Sequence, residues 1–168
     1  MDADLVPLAK DGARSFHLVA DYHGRAGGRF ALELIRESHE RLVGAGLREQ
    51  VSLIGGGGVA AAEHVPKAIL CGLDAVALDT APWVALQARF EGECMERRSA
   101  HIALPSLDGA WAVQRLANLV AAWRDQLLEV LGAMGLREVR RLRGELGRAM
   151  FQAELEAEAF AGIEGYAV

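Results

Sequence analysis

The chain has 168 residues, enough for one ordinary domain with its own core, and 52% of them are apolar against 24% charged, which excludes a disordered chain. A formal charge of −5 gives no electrostatic reason to expect a nucleic-acid or anionic-membrane partner, and no apolar run reaches the length of a membrane span. Met1 is not followed by a basic segment and an apolar core, so the expected location is the cytoplasm, with Cys71 and Cys94 reduced.

Residues 1–15 carry no periodicity and are expected to be irregular. Residues 16–20, Phe-His-Leu-Val-Ala, read as a buried strand stopped by Asp21 and Gly24, and Gly24, Gly27 and Gly28 follow in the loop. A helix is expected over 30–43, with Leu34, Ile35, Leu42 and Val43 on its apolar stripe and Gly44 and Gly46 ending it. Residues 51–54 form a second strand that runs into four glycines, and a helix over 61–71 ends at Gly72. Residues 75–78 form a third strand leading to Asp79 and Thr80, with Thr80 as N-cap and Pro82 in the first turn of another helix. Apolar strands alternating with helices predict a parallel sheet covered on its faces. Beyond Pro105 a long helix starts near Asp108, its stripe built from Val113, Leu116, Val120, Trp123, Leu127, Val130 and Met134. A basic helix over 136–148 and an acidic one over 152–161 complete the pattern.

The glycine run at Gly55, Gly56, Gly57 and Gly58 has two readings. Side-chain-free backbone between a strand and a helix is an anion cradle, several N–H groups closing on a phosphate at the start of the next helix. The same run is also a tight strand-to-helix turn with no ligand. It is not a Walker loop, since no Gly-Lys-Ser/Thr follows, and no acidic residue stands where a dinucleotide fingerprint requires one.

Three segments together carry a family resemblance. Val51-Ser-Leu-Ile-Gly-Gly-Gly-Gly58, Ala62-Glu-His-Val-Pro-Lys-Ala-Ile69 and Gly72-Leu-Asp-Ala-Val-Ala-Leu-Asp79 resemble the FMN-binding barrel of glutamate synthase. Residues 17–28 are similar to its preceding strand and glycine-rich substrate loop, and residues 113–143, with Leu-Arg-Gly at 142–144, to the helical segment after its barrel. The resemblance implies an α/β fold: the last three strands of a parallel (β/α) TIM-type barrel over 16–104, then a helical tail over 105–168. It implies FMN, its phosphate held at Gly55–58 and at Asp79 and Thr80, and chemistry joining 2-oxoglutarate, ammonia and glutamate. The family ends its last strand in glycine, so Asp79 must point away from a phosphate, bind a ribityl hydroxyl or weaken the site. Only Cys94 lies where the family clusters cysteines, so no iron–sulfur cluster is expected.

A complete barrel needs eight strands and about 250 residues. The chain is therefore expected to require the remaining half of the barrel, a second chain or a copy of itself. The leading reading is the FMN-binding part of a glutamate synthase-like oxidoreductase. The alternative is a non-catalytic phosphate-ligand module or a self-assembling half-barrel scaffold.

His23 and Arg25 are the catalytic candidates: both sit in the loop after the first strand, and Arg25 would suit a small carboxylate substrate. Lys67 reads as surface, Glu63 and His64 as helix-start capping groups, and Cys71 as core. His39, flanked by Glu37 and Glu40, has no second histidine at metal-ligand spacing, and no metal is expected. The arginines at 137, 140, 141, 143 and 148 are expected to pair with interleaved and following glutamates on a solvated surface. Trp83, Trp111 and Trp123 read as core anchors.

Overall fold

The computed structural model describes residues 4–92, 100–145 and 147. The expected acidic helix over 152–161, Arg148 and Cys94 lie outside these.

The start of the chain is more ordered than its sequence pattern predicts. Helix α1 (Leu5–Lys10) is capped by the Asp4 carboxylate, which accepts from Val6 N–H, and it buries Leu5 and Ala9. An amphipathic pattern only six residues long is too short to show periodicity.

The three expected strands form one parallel sheet in the order β1 (Ser15–Val19), β4 (Ser52–Gly56), β5 (Ala75–Ala77), with Phe16 opposite Leu53 and Gly55 opposite Val76. Two short strands, β2 (Arg25–Ala26) and β3 (Arg29–Phe30), pair as a hairpin in the loop after β1. Helix α2 (Ala31–Gly44) follows, then a 3₁₀ turn (Arg48–Gln50) before β4. Helix α3 (His64–Leu70) joins β4 to β5 and is shorter than the expected 61–71, while α4 (Thr80–Ala85) follows β5.

Side chains alternate across the sheet. Phe16 and Leu53 point into a core shared with Ile35 and Leu42 of α2 and with Ala68 and Leu73. Ser15, His17, Val19, Ser52 and Ala75 are exposed on the other side. The expectation of a sheet covered on both faces is therefore corrected: among the described residues, helices cover one. The sheet edges are open as well. Arg14 C=O accepts from Ser52 N–H and Ala20 N–H donates to Gly56 C=O, so even-numbered residues of β1 face β4. Ser15, His17 and Val19 direct their backbone groups to the outer edge, where no described strand pairs.

On α2 the buried line is Ile35, His39 and Leu42, whereas Val43 is 54% exposed. Hydropathy assigns Val43 to the core, but a histidine takes the helix face that α2 turns inward. Gly46, at φ +69°, ends the helix as expected, Leu47 N–H donating back to Leu42 C=O.

Strands β6 (Arg89–Glu91) and β7 (His101–Ala103) form an antiparallel pair that the sequence pattern does not announce. Phe90 in β6 meets Tyr22 from the loop after β1 edge-to-face, ring centroids 5.3 Å apart. Helix α5 (Gly109–Ala133) begins where expected, Asp108 accepting from Trp111 N–H at 2.8 Å. Its C-terminal end packs through Leu131 onto Ile69 and Leu142 in a second cluster. Toward its N-terminus Val113 and Val120 are 69% and 61% exposed, so two of the seven residues of the expected stripe have no described cover, while the other five are half-buried. Trp111 is exposed too, with the Arg115 guanidinium 5.6 Å over its ring, and is not a core anchor. The basic helix expected over 136–148 is corrected to a single 3₁₀ turn (Val139–Leu142). Gly135, at φ +67°, turns the chain out of α5, and Glu138 and Arg143 are extended on either side of that turn. No described helix is long and apolar enough to cross a membrane.

Candidate functional site

The C-terminal ends of β1, β4 and β5 bring the loops after each strand together. Asp21 shapes the first: its carboxylate accepts from His23 N–H and Arg25 N–H, both at 2.8 Å, and its own N–H donates to Arg25 C=O. Arg25 donates from its guanidinium to Gly28 C=O at 3.0 Å and so braces the hairpin that carries it. His23 is exposed and lines, with Gly57, Gly58 and His64, a cavity of about 480 Å³ that runs between β1 and α2.

Each glycine of the run after β4 is required by a neighbour. A Cβ on Gly55 would fall 2.6 Å from Leu73, and one on Gly56 would fall 2.7 Å from Ala77 C=O. At Gly57 (φ +117°) it would strike Ala20 C=O at 2.3 Å, and at Gly58 (φ +67°) Gly24 N at 2.5 Å. The loop after β1 therefore lies directly on the glycine run, and protein packing alone demands glycine there. The donors tell a different part of the story. Gly57 N–H lies on the β5 side, where the pairing of Gly56 with Ala77 runs, but among the described residues no hydrogen bond engages the N–H of Gly58 or Val59. Gly57 and Val59 are buried and Gly58 half-buried. Gly58 and Val59 both line the cavity, and successive N–H groups without a protein partner are the makings of an anion-binding concavity.

The other expected phosphate contact is arranged differently. Asp79, not Thr80, is the N-cap of α4: its carboxylate accepts from Thr80 N–H at 2.6 Å and from Thr80 Oγ1 at 3.1 Å. The negative charge sits on the helix start that an incoming phosphate would use. At α3, Glu63 makes no side-chain cap, while His64 Nδ1 accepts long bonds from Ala60 and Ala61 N–H, at 3.4 and 3.5 Å. Lys67 is exposed on α3, as expected. Cys71 is buried, and burial pushes its thiol up to about 11, so it stays protonated and unreactive at neutral pH. No group of three His, Cys, Asp or Glu is placed to hold a metal among the described residues.

The polar cluster that the sequence did not reveal lies at the opposite end of the strands. Arg48, only 3% exposed, donates to Val51 C=O, Gly72 C=O, Asp74 and His39 Nδ1. Arg143 joins Asp74 to Glu49. The arginines of the tail were expected to pair with glutamates interleaved among them or following them; Arg143 instead reaches two carboxylates more than sixty residues away. The only sequence signal was indirect, the glycines at 72 and 144 that make room for His39.

Residues 22–137 match the model of a conserved region in glutamate synthase. The chain is 39% identical over 116 residues to an archaeal glutamate synthase (NADPH) of Methanocaldococcus jannaschii, a match covering 65% of this chain and 23% of that protein. It is 31% identical over 136 residues to an archaeal glutamate synthase (NADPH) of Archaeoglobus fulgidus, covering 75% of this chain and 26% of the relative. The matched stretch thus spans about a quarter of each relative. Among solved structures, a mutant flavocytochrome b2 with pyruvate bound superposes with a TM-score of 0.58 at 19% identity, covering 99% of this chain and 38% of that one.

Proposed function

Since this chain belongs to the glutamate synthase family, we propose that it supplies the phosphate-holding end of an FMN site in a glutamate synthase-like oxidoreductase. In this reading β1, β4 and β5 are the last three strands of a (β/α) barrel. The remaining strands, in the same polypeptide or another, pair with the open edges of β1 and β5. The observation that carries the reading is the pair of successive unengaged N–H groups at Gly58 and Val59, set where a strand meets the turn to a helix.

The residues present fit a phosphate on that side. Backbone donors hold it without needing a charge, and the loop from Ala20 to Gly24 fixes their spacing by lying on the glycines. FMN, when bound, supplies hydride and electron transfer. His23, exposed at the mouth of the cavity, is the candidate to move a proton, and Arg25, outside the cavity lining and braced on Gly28 C=O, is the candidate to meet a small carboxylate such as 2-oxoglutarate. Asp79 and Thr80, in the loop after β5 and outside the cavity lining, would join the phosphate site only at an electrostatic cost: a carboxylate about 4 Å from a phosphate is repelled by about 4 kcal/mol per unit charge at an effective dielectric near 20.

That cost favours a second reading, in which the chain is a phosphate-ligand or half-barrel scaffold module without redox chemistry. The self-capped pair Asp79–Thr80 is the observation behind it. Backbone amide NMR separates the two. FMN is expected to shift the Gly57, Gly58 and Val59 amides while riboflavin, lacking the phosphate, leaves them in place. Equal responses to both would remove the phosphate cradle, and a response to inorganic phosphate but not to FMN would favour the scaffold reading.

A further inference from the structure

We infer that the cluster around His39 is an acid-sensitive latch that holds the segment after α5 against the body of the fold. This is independent of what binds at the glycine run.

His39 is 9% exposed in α2, and its Nδ1 accepts from Arg48 Nε at 3.1 Å, so that nitrogen carries no proton. Gly72 lies against the imidazole on one side and Gly144 on another; a Cβ on either would come within 2.4 and 2.5 Å of the ring, respectively. The tail is fastened here by two routes. Arg143 donates to Asp74 at 2.6 Å and to both oxygens of Glu49, at 2.5 and 2.6 Å, and Gly144 N–H donates to Ile69 C=O at 3.4 Å. Arg48 ties the same Asp74 to His39, at 2.7 and 3.1 Å. His39 therefore touches the tail through Gly144 directly and through Arg48 and Asp74 indirectly.

Protonating Nδ1 turns the acceptor into a donor that faces the donor on Arg48. It also adds a cation to a site that holds Arg48 from the 3₁₀ turn and Arg143 from the tail. The opposing charges are Asp74 from the turn before β5, Glu40 from α2 itself, and Glu49, which is already held by Arg143. Burial, then Arg48 and Arg143, outweigh Glu40 and Asp74 and hold the imidazole below its ordinary pKa. The sign follows. The latched state binds the proton less readily than a released one, so the latch is fully held above about pH 6.5, the ordinary histidine value. It is lost progressively as the pH falls through His39's own lowered value. For Asp74, burial raises the pKa but Arg143, the Leu53 N–H and Arg48 together lower it further, so its contribution persists to below the usual carboxylate range. The His39 window opens at the ordinary histidine value and the Asp74 window only at the lower, ordinary carboxylate value, which assigns a loss that begins in mildly acid solution to His39.

Release would uncover Leu142, which is fully buried, together with Ile69 and Leu131. Hydrogen exchange of the full chain, corrected for intrinsic rates, tests this. Peptides covering 136–145 should lose protection between about pH 7.5 and 5 while peptides from β4 keep theirs. In His39→Gln, whose amide oxygen accepts from Arg48 without titrating, the 136–145 protection should persist at the lower pH. Protection that does not change with pH in the wild type, or is lost equally in the variant, overturns the latch. Should the variant fail to fold, the imidazole titration of His39 in the wild type decides: a midpoint below the ordinary value supports the proposal, and one at or above it refutes it.

Discussion

The Asp79 carboxylate and the Thr80 backbone N–H lie 2.6 Å apart, so α4 is capped from within by the residue that would repel a phosphate at the same spot. Stability and ligand binding therefore pull on one side chain in opposite directions. Asp79→Asn keeps a capping oxygen and removes the charge. Its unfolding free energy should stay within about 0.5 kcal/mol of the parent, while FMN affinity rises by about tenfold, some 1.4 kcal/mol. Asp79→Ala should lose about 1 kcal/mol of stability as the cap disappears. Urea denaturation and flavin fluorescence titration measure the two effects separately; unchanged affinity in the asparagine variant would place the flavin phosphate away from α4.

Arg48 holds four acceptors in near-complete burial, and removing it strands them. Arg48→Met should destabilise the chain by about 3–5 kcal/mol, because Asp74 is left without its buried partner and Gly72 and Val51 C=O lose their donor. Arg48→Lys should recover only part of this, a point charge being unable to span four directions. Equal midpoints for the two variants in urea would show that charge, not the planar fork, is what the site requires.

Glycines in this chain divide by what surrounds them. At Gly72 and Gly144, φ is +121° and +72° and His39 fills the space a methyl group would need, so alanine at either should cost more than about 1 kcal/mol. Gly132 sits in α5 with nothing within 4 Å, and Gly132→Ala should stabilise by about 0.5–1 kcal/mol. Thermal melts of the three variants check the contrast.

The strand-helix units around β1, β4 and β5 were legible because buried strands and their stops are written in consecutive residues. The hairpins were not. Arg25-Ala26 with Arg29-Phe30 is too short for alternation to register, and its geometry comes from the Asp21 carboxylate and from Gly24 packing on the glycine run. The glycine run itself was visible, and its two readings need not exclude each other: neighbours exclude every Cβ, and the N–H groups of Gly58 and Val59 still lack a described partner. The surroundings of His39 were not legible because its partners Arg48, Asp74 and Arg143 come from far along the chain, and a one-dimensional pattern cannot pair them. Val113 and Val120 were assigned to a packed stripe because periodicity shows that a helix has an apolar face, not that something covers it.

Association follows from the open edges. Ser15, His17 and Val19 present backbone groups outward, and α5 exposes Val113 and Val120. The isolated chain is expected to scatter light as a species larger than a monomer at micromolar concentrations, and to become monodisperse only beside a partner that supplies strands. A stable monomer that unfolds cooperatively would count against the half-barrel reading.

Purification should yield no stoichiometric iron or inorganic sulfide, even under anaerobic conditions, since three or more closely spaced cysteines are needed and the chain has two in all. Elemental analysis settles it.

Ala20 against Gly57 and Gly24 against Gly58 make the first and second loops of the site a single fitted pair. Neither can change its length or bulk while the other stays as it is. Among relatives, substitutions at these positions should therefore arise jointly, and a chimera that grafts one loop from a homologue without its mate should be inactive even when both parents work. A search for new substrate specificity that randomises the 20–28 stretch alone would be confined to whatever the glycine run already tolerates; libraries that vary both together open a far larger share of sequence space.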